Sequence, residues 1–313
     1  MIPIESSTHG RFHTIPILCG PTASGKSALA MSVCLVTGGE LCSMDSMQIY
    51  REMDIGTAKP TRDEQKLVPH HLIDMIDPRE SYNTALYRNT ALECIRDCLE
   101  RGVLPVFCGG TGQYASALAE GIAFAPVEID PDLHDSLLME SEERGIQALY
   151  DELVSVDPNS AAKIHPNNKK RVIRALEIYR QTGKTMDYFN SISKKDGPAY
   201  PFSLFAIRMD REQLYKRMDE RVDRMMENGL LEEVIRLKEH GLNQSHTAMQ
   251  AIGYKELYLY LEGSIPLADA VALIKQKTRN YGKRQLTWFR SMESVKWIEP
   301  DDCDTVIRTI TNL

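Results

Sequence analysis

Short unbroken apolar runs and longer amphipathic stretches alternate along the first part of the chain. Ile15 to Cys19 is five apolar residues in a row, the pattern of a strand buried on both faces. Ser27 to Val36 follows with helical periodicity. The strand pattern recurs at Glu40 to Met44, Val103 to Cys108, Phe202 to Met209 and Ser294 to Ile298. Between two of these runs, Thr84 to Arg101 carries Leu86, Ala91, Leu92, Ile95 and Leu99 at helical spacing. Strands joined through helices rather than through tight turns predict a parallel sheet, and the fold class is α/β.

Near Phe124-Ala125-Pro126 the pattern changes to helices without strands. Asp130-Pro131, Gly145 to Val156 and Asn167 to Thr182 each read as a helix, and on the last of them Val172, Leu176 and Tyr179 face inward. Lys170, Arg171 and Arg174 then fall on the outward side. Residues 124–199 are therefore read as a helical subdomain inserted into a core made of residues 1–123 and 200–313, with Ser193 to Pro201 as the return linker. After the insertion, Asp210 caps a helix bearing Leu214, Met218, Val222 and Met225 on one face. Gly253-Tyr254 interrupts a helical region, and Leu273 to Phe289 makes a long helix.

At 313 residues and 42% hydrophobic content the chain suffices for one large core or two modest ones. No charge-free apolar run approaches the roughly 18 residues that span a bilayer, and no basic-then-apolar leader opens the chain. A cytoplasmic protein with no membrane partner is expected. The seven cysteines are an odd number set mostly in apolar runs, which favours buried thiols over a disulfide framework. Cys94 and Cys98 share one face of a helix, but the sequence offers no third ligand nearby. His70 and His71 cannot face the same way along an extended chain, so neither pair is expected to hold a metal.

The net charge of −7 argues against a polyanionic partner until its distribution is examined. Leu273 to Met292 contains no acid while Lys275, Lys277, Arg279, Lys283, Arg284 and Arg290 supply six positive charges, and Lys169, Lys170, Arg171 and Arg174 form a second acid-free cluster. Local stripes decide attraction to a phosphate backbone, so nucleic acid returns as a candidate partner.

Gly20 to Ser27 reads Gly-Pro-Thr-Ala-Ser-Gly-Lys-Ser, a phosphate-binding loop between a predicted strand and a predicted helix. Its glycines let the backbone aim N–H groups at an anion on the helix N-terminus, Lys26 adds a charge, and Ser27 offers a hydroxyl to Mg2+. The sheet core is thus of the P-loop NTPase-like kind. Asp45 ends the second strand, at the edge where α/β sheets hold ligands, as a general base, a metal ligand or a helix cap. A second glycine-rich turn, Gly109-Gly110-Thr111-Gly112, occupies the same edge. A P-loop kinase normally has an apolar strand ending in a magnesium-holding Asp, and VLPVFC ends in Gly-Gly-Thr instead.

GPTASGKS, MDSMQIYREMDIGTAKPT, PHHLIDMIDP, GGTGQY, KKRVIRALEIY, IGYKE and KRQLTWFR, in this order, resemble the tRNA dimethylallyltransferases from about Ile15 to Trp297. The resemblance implies transfer of a dimethylallyl group from dimethylallyl diphosphate to the exocyclic amine of the adenine 3′ of the anticodon, in tRNAs reading codons that begin with U. It implies that Gly20, Pro21, Thr22, Ala23, Ser24, Gly25, Lys26 and Ser27 hold the diphosphate, with Mg2+ at Ser27. Catalysis would fall to Asp45 as general base, to Thr111, and to Arg217 with Arg221 as the alternative holder of that role. The anticodon stem-loop would be met by Asp45, Ser46, Met47, Gln48, Thr111, Gly253, Lys283, Arg284 and Gln285, and by His134, Lys170, Arg171 and Arg174 of the insertion. His134 stands where the family usually has arginine, and Lys170 where many relatives have glutamine. No counterpart of the C-terminal zinc finger of eukaryotic relatives appears, so a bacterial-type enzyme is expected. One chain supplies every part, which suits a monomer. The alternatives are a P-loop kinase acting on a nucleoside-like acceptor and a nucleotide-regulated RNA-binding protein.

Overall fold

Every residue of Ile15–Cys19 (β1) is buried, as a central parallel strand requires. In the computed structural model, which describes residues 11–122, 130–193 and 197–311, β1 lies inside a sheet with Glu40–Ser43 (β2), His70–His71 (β3), Pro105–Gly109 (β4), Phe202–Ile207 (β5) and Val295–Ile298 (β6). The six strands run in the order β3-β2-β4-β1-β5-β6, every pairing parallel. The α/β fold and parallel sheet expected from the sequence are therefore present. Strand β4 starts two residues later than the apolar run, at Pro105, where a missing N–H removes no ladder bond.

The helices, in chain order, are Lys26–Thr37 (α1), Arg62–Leu67 (α2), Thr84–Glu100 (α3), Gly112–Ala119 (α4), Pro131–Glu143 (α5), Ile146–Val156 (α6), Pro158–Ala161 (α7), Lys169–Thr182 (α8), Met186–Ser193 (α9), Arg211–Glu227 (α10), Leu230–Glu239 (α11), Tyr254–Leu261 (α12), Leu267–Arg290 (α13) and Cys303–Thr311 (α14). Helix α13 begins six residues before the predicted stretch, because Pro266 is a tolerated residue ahead of a helix start. None of the described helices is long and apolar enough to cross a membrane.

Two compact units result: residues 1–119 with 199–313, and residues 120–198. The predicted boundary at Phe124-Ala125-Pro126 lies outside the described residues. In the first unit, α3, α4 and the end of α13 cover one face of the sheet, where Tyr87, Ile95, Tyr114 and Phe289 pack on Ile17 and Phe107. Helices α1 and α14 cover the other with Leu29, Val33, Val306 and Ile310. A third core joins α10 to α13 and to the segment after β2, through Tyr50, Val222, Leu230, Tyr254 and Ile274. In the second unit Leu137, Leu149, Leu153, Val172 and Leu176 pack α5, α6 and α8 together.

Two expectations about charge and sulfur change. The basic stripe of α13 is partly consumed: Lys275 Nζ binds Asp223 Oδ2 at 2.8 Å and Arg279 Nη1 binds Asp219 Oδ2 at 2.7 Å, both acids on α10. Those cations join two helices, and the solvent-facing remainder includes Lys283 and Arg284. Cys94 and Cys98 do have a third partner. The predicted absence of one failed because β3 pairs with β2 and brings His71 back over α3, a contact across 23 or more residues that no local pattern announces.

Candidate active site

Strand register brings three chain reversals to one edge. Ser43 pairs with Cys108 and Cys19 with Gly109, so the residues following β1, β2 and β4 emerge side by side. Gly109 is required there, since a Cβ would lie 2.0 Å from Met44 O. Thr111 N donates to Met44 O at 3.3 Å, and its Oγ1 accepts from Ser46 N at 3.1 Å, which locks the turn before α4 to the turn after β2. Asp45 closes that turn by accepting from Met47 N at 2.9 Å through Oδ1.

The loop from Gly20 to Ser27 enters α1 through left-handed backbone at Ala23 (φ 64) and Gly25 (φ 95). Gly25 adopts this without cost, whereas Ala23 is strained in it, a cost held where the loop turns sharply into α1. Ser24 Oγ is buried without a hydrogen-bond partner among the described residues. Lys26 Nζ donates to Pro21 O at 3.3 Å. Desolvation lowers the Lys26 pKa below the ordinary lysine value; Cys108 and Asp45 oppose the shift and Arg221 adds to it.

Gln285 of α13 is buried between these turns. Its Oε1 accepts from Thr22 N at 3.0 Å and its Nε2 donates to Gly110 O at 2.9 Å. One turn earlier stands Tyr281, which sequence reasoning did not single out. Burial and the Asp45 charge push its phenol up to about 12, against hydrogen bonds with Thr111 and Gln285. Its i, i+4 spacing to Gln285 was the signal available.

The segment 54–59 forms a further wall. Glu233, 1% exposed, accepts from Asp54 N (2.9 Å), Ile55 N (2.9 Å), Gly56 N (3.1 Å) and the Tyr254 hydroxyl (2.6 Å). Gln48 spends its amide on Ser43 Oγ at 2.8 Å and on the carbonyls of Thr57 and Ala58 at 3.2 and 3.1 Å. These buried polar contacts hold an irregular loop that has few apolar side chains of its own.

Two cavities result, of about 630 and about 590 Å3. The first is lined by Lys26, Ser27, Lys59, Arg217, Arg221 and Arg224. The second is lined by Asp45, Ser46, Met47, Gln48, Gly253, Tyr281, Arg284 and Gln285 among others. Lys26, Ser27 and Arg221 belong to both. Arg221 is the half-buried arginine that interacts with Asp45 and Lys26, its pKa lowered by burial, while Arg217 is exposed and borders the first cavity alone. Lys283 and Arg284 are exposed, lying over the rings of Tyr215 and Tyr281 at 5.8 Å each.

The remaining predicted residues belong to the second unit. Glu177, 1% exposed, receives His134 Nδ1 on one oxygen and Arg174 Nη1 on the other at 3.1 Å. Lys170 and Arg171 are exposed at the start of α8.

Residues 48–292 match the family model described as IPP transferase, and residues 13–75 one described as isopentenyl transferase. A tRNA dimethylallyltransferase of Acetivibrio thermocellus is 45% identical over 297 residues, covering 95% of each chain, and that of Bacillus subtilis is 45% identical over 285 residues, covering 91% of this chain and 90% of the relative. Among solved structures, the tRNA isopentenylpyrophosphate transferase of Bacillus halodurans is 41% identical with a TM-score of 0.69, covering 96% of this chain and 94% of that one. A eukaryotic dimethylallyltransferase acting on tRNA is 29% identical with a TM-score of 0.77, covering 96% and 76%.

Proposed function

The chain belongs to the IPP transferase family, and we propose that its tRNA dimethylallyltransferase activity is carried by the cleft where Lys26, Asp45, Thr111 and Arg221 converge. The observation that carries this reading is the sharing of Lys26, Ser27 and Arg221 by two cavities of different character. The arginine-lined cavity suits the diphosphate of dimethylallyl diphosphate. The one beside Asp45 and Tyr281 suits the adenine 3′ of the anticodon, turned out of its loop, in tRNAs reading codons that begin with U.

The exocyclic amine attacks the allylic carbon as the carbon–oxygen bond breaks, and the bonding pair leaves with diphosphate. Asp45 takes the amine proton, which makes a poor aromatic nucleophile competent. The N–H groups at the start of α1, the Lys26 ammonium, Arg221 and, from the rim, Arg217 stabilise the charge that grows on the leaving group. Thr111 holds the Asp45 turn through its bond to Ser46 N, so its catalytic part is to position the base. Ser27 borders both cavities, and its hydroxyl with diphosphate oxygens and water is a hard-oxygen set that fits Mg2+. When bound there, the ion would neutralise part of the diphosphate charge.

For tRNA, Ser46, Met47, Gly253 and Arg284 line the acceptor cavity, and Lys283 extends a basic edge for backbone phosphates. Lys170 and Arg171 offer phosphate contacts on the insertion, with His134 and Arg174 as weaker contributors because Glu177 holds both. Gln48 and Gln285 act by setting the loops, since their amides are committed to neighbouring groups. A monomer working in the cytoplasm completes the reading. The nucleoside-kinase alternative falls with the family assignment. The test is incubation with Mg2+, labelled dimethylallyl diphosphate and such a tRNA: label should appear on the adenine 3′ of the anticodon and depend on Mg2+ and Asp45. Label at another nucleotide, or full transfer by Asp45→Ala, would overturn the assignment of acceptor or base.

A further inference from the structure

Outside both cavities, four sulfur and nitrogen ligands gather on three elements. Cys94 and Cys98 sit one turn apart on α3, and Cys42 on β2 pairs in register with His71 on β3. A ring nitrogen of His71 and the Sγ atoms of Cys94 and Cys98 all lie within 4.8 Å of one another, and Cys42 Sγ is 3.6 Å from Cys94 Sγ. A tetrahedral ion with bonds of about 2.3 Å to sulfur separates its ligands by about 3.8 Å. His71, Cys94 and Cys98 lie within about 1 Å of that spacing and Cys42 already has it to Cys94, so side-chain rotation of Cys42 toward the other three ligands would complete the set.

The surroundings fit as well. Glu40 Oε2 accepts from His71 Nε2 at 2.7 Å, the outer carboxylate contact that ligating histidines make. Arg101 binds the same carboxylate at 2.6 Å and donates to Cys98 Sγ at 3.5 Å, supplying positive charge beside the thiolates a metal would create. Cys42 and Cys98 are buried and Cys94 and His71 half-buried, so the site is enclosed yet within reach of a metal from solution. Three thiols and an imidazole are soft to borderline donors, which select zinc over the Mg2+ suited to Ser27.

We propose that Cys42, His71, Cys94 and Cys98 bind one zinc-class divalent cation, a structural site that fastens the two-residue edge strand β3 and strand β2 to α3. Four protein ligands leave no open position, so the ion would take no part in prenyl transfer.

The test uses the full-length protein, reduced, stripped of metal by chelation and titrated with Co2+ alone. The expected result is a sulfur-to-cobalt charge-transfer band with tetrahedral visible bands, saturating at about one ion per chain and removed by Zn2+. Cys94→Ser and Cys98→Ser should each weaken binding by about tenfold to a hundredfold, and Cys303→Ser should leave it unchanged. If those variants fail to fold, alkylation of the wild type supplies a second readout: Zn2+ should shield Cys42, Cys94 and Cys98 while Cys303 still reacts. Cobalt bound without a sulfur band, no binding by the reduced protein, or a Cys42–Cys94 disulfide in freshly purified protein would overturn the proposal.

Discussion

Gln285 accepts the Thr22 N–H at 3.0 Å, so the loop from Gly20 to Ser27 is anchored by helix α13. The same amide donates to Gly110 O, and a Cβ at Gly110 would stand 2.0 Å from Gln285 Nε2. One side chain therefore sets the spacing between the phosphate loop and the Thr111 turn. Replacing it by alanine leaves the buried Gly110 carbonyl unpaired, at about 1–3 kcal/mol, and frees the half-buried Thr22 N–H. Gln285→Ala should lower kcat/KM for dimethylallyl diphosphate at least tenfold while tRNA affinity stays near that of the wild type. A loss confined to tRNA affinity would make Gln285 a direct contact instead.

Asp45 uses one carboxylate oxygen to close its own turn, so shape and proton transfer can be separated at this residue. Asn at this position keeps an oxygen for the Met47 N–H but cannot accept the proton. Asp45→Asn should reduce the single-turnover rate by about 10²- to 10⁴-fold with little change in tRNA binding. Rapid-quench measurement on preformed complex reads the first quantity and filter binding the second.

How far the sequence spoke differs from element to element. The strand-loop-helix from Ile15 to Val36 was legible because each link is local: apolar run, glycine spacing, helical period. Asp45 and Thr111 could be placed at one edge because parallel strands end together. What the chain did not disclose are partnerships across long separations. Glu233 carries no motif, yet it binds three consecutive N–H groups almost 180 residues earlier. Lys275 and Arg279 looked like a free basic stripe until Asp223 and Asp219 of α10 met them. Tyr281 had a single local mark, its i, i+4 spacing to Gln285, and an aromatic residue within an amphipathic helix is more often core than site.

The Glu233 contacts predict a stability effect at the wall of the site. Glu233→Ala strips the N–H groups of residues 54–56 and the Tyr254 hydroxyl of their acceptor, where the backbone at Gly56 is so close to Tyr254 that even a Cβ would clash with its ring. Destabilisation of about 2–4 kcal/mol is expected in urea unfolding. Glu233→Gln, which keeps one oxygen, should lose about half as much.

Lys283 and Arg284 test the basic edge of α13. Neither is in a salt bridge with an acid among the described residues, and both are exposed. The double change Lys283→Ala with Arg284→Ala should flatten the plot of log tRNA affinity against log salt by about 1.5 units, at 0.7–0.9 per phosphate lost. The rate at saturating tRNA should change little. Lys275→Ala, whose partner is Asp223, should leave that slope alone.

Lys26 links the site to pH. Burial holds its ammonium below the ordinary lysine value of 10.5, so in the free protein its charge is lost before an exposed lysine would lose it. The sign follows from the protonated form being the one that binds: affinity contributed by Lys26 is complete below the lowered pKa and disappears as pH rises through it. Pyrophosphate alone serves as the probe, titrated calorimetrically across the alkaline range. Lys26→Met should weaken pyrophosphate binding about a hundredfold near neutrality, the loss expected for charge-assisted hydrogen bonds of about 2.7 kcal/mol. Comparing the two proteins at each pH cancels the titration of pyrophosphate itself. The ratio of their affinities should shrink toward one above the lowered pKa, and a ratio constant up to pH 10.5 would show that Lys26 keeps its proton through this range.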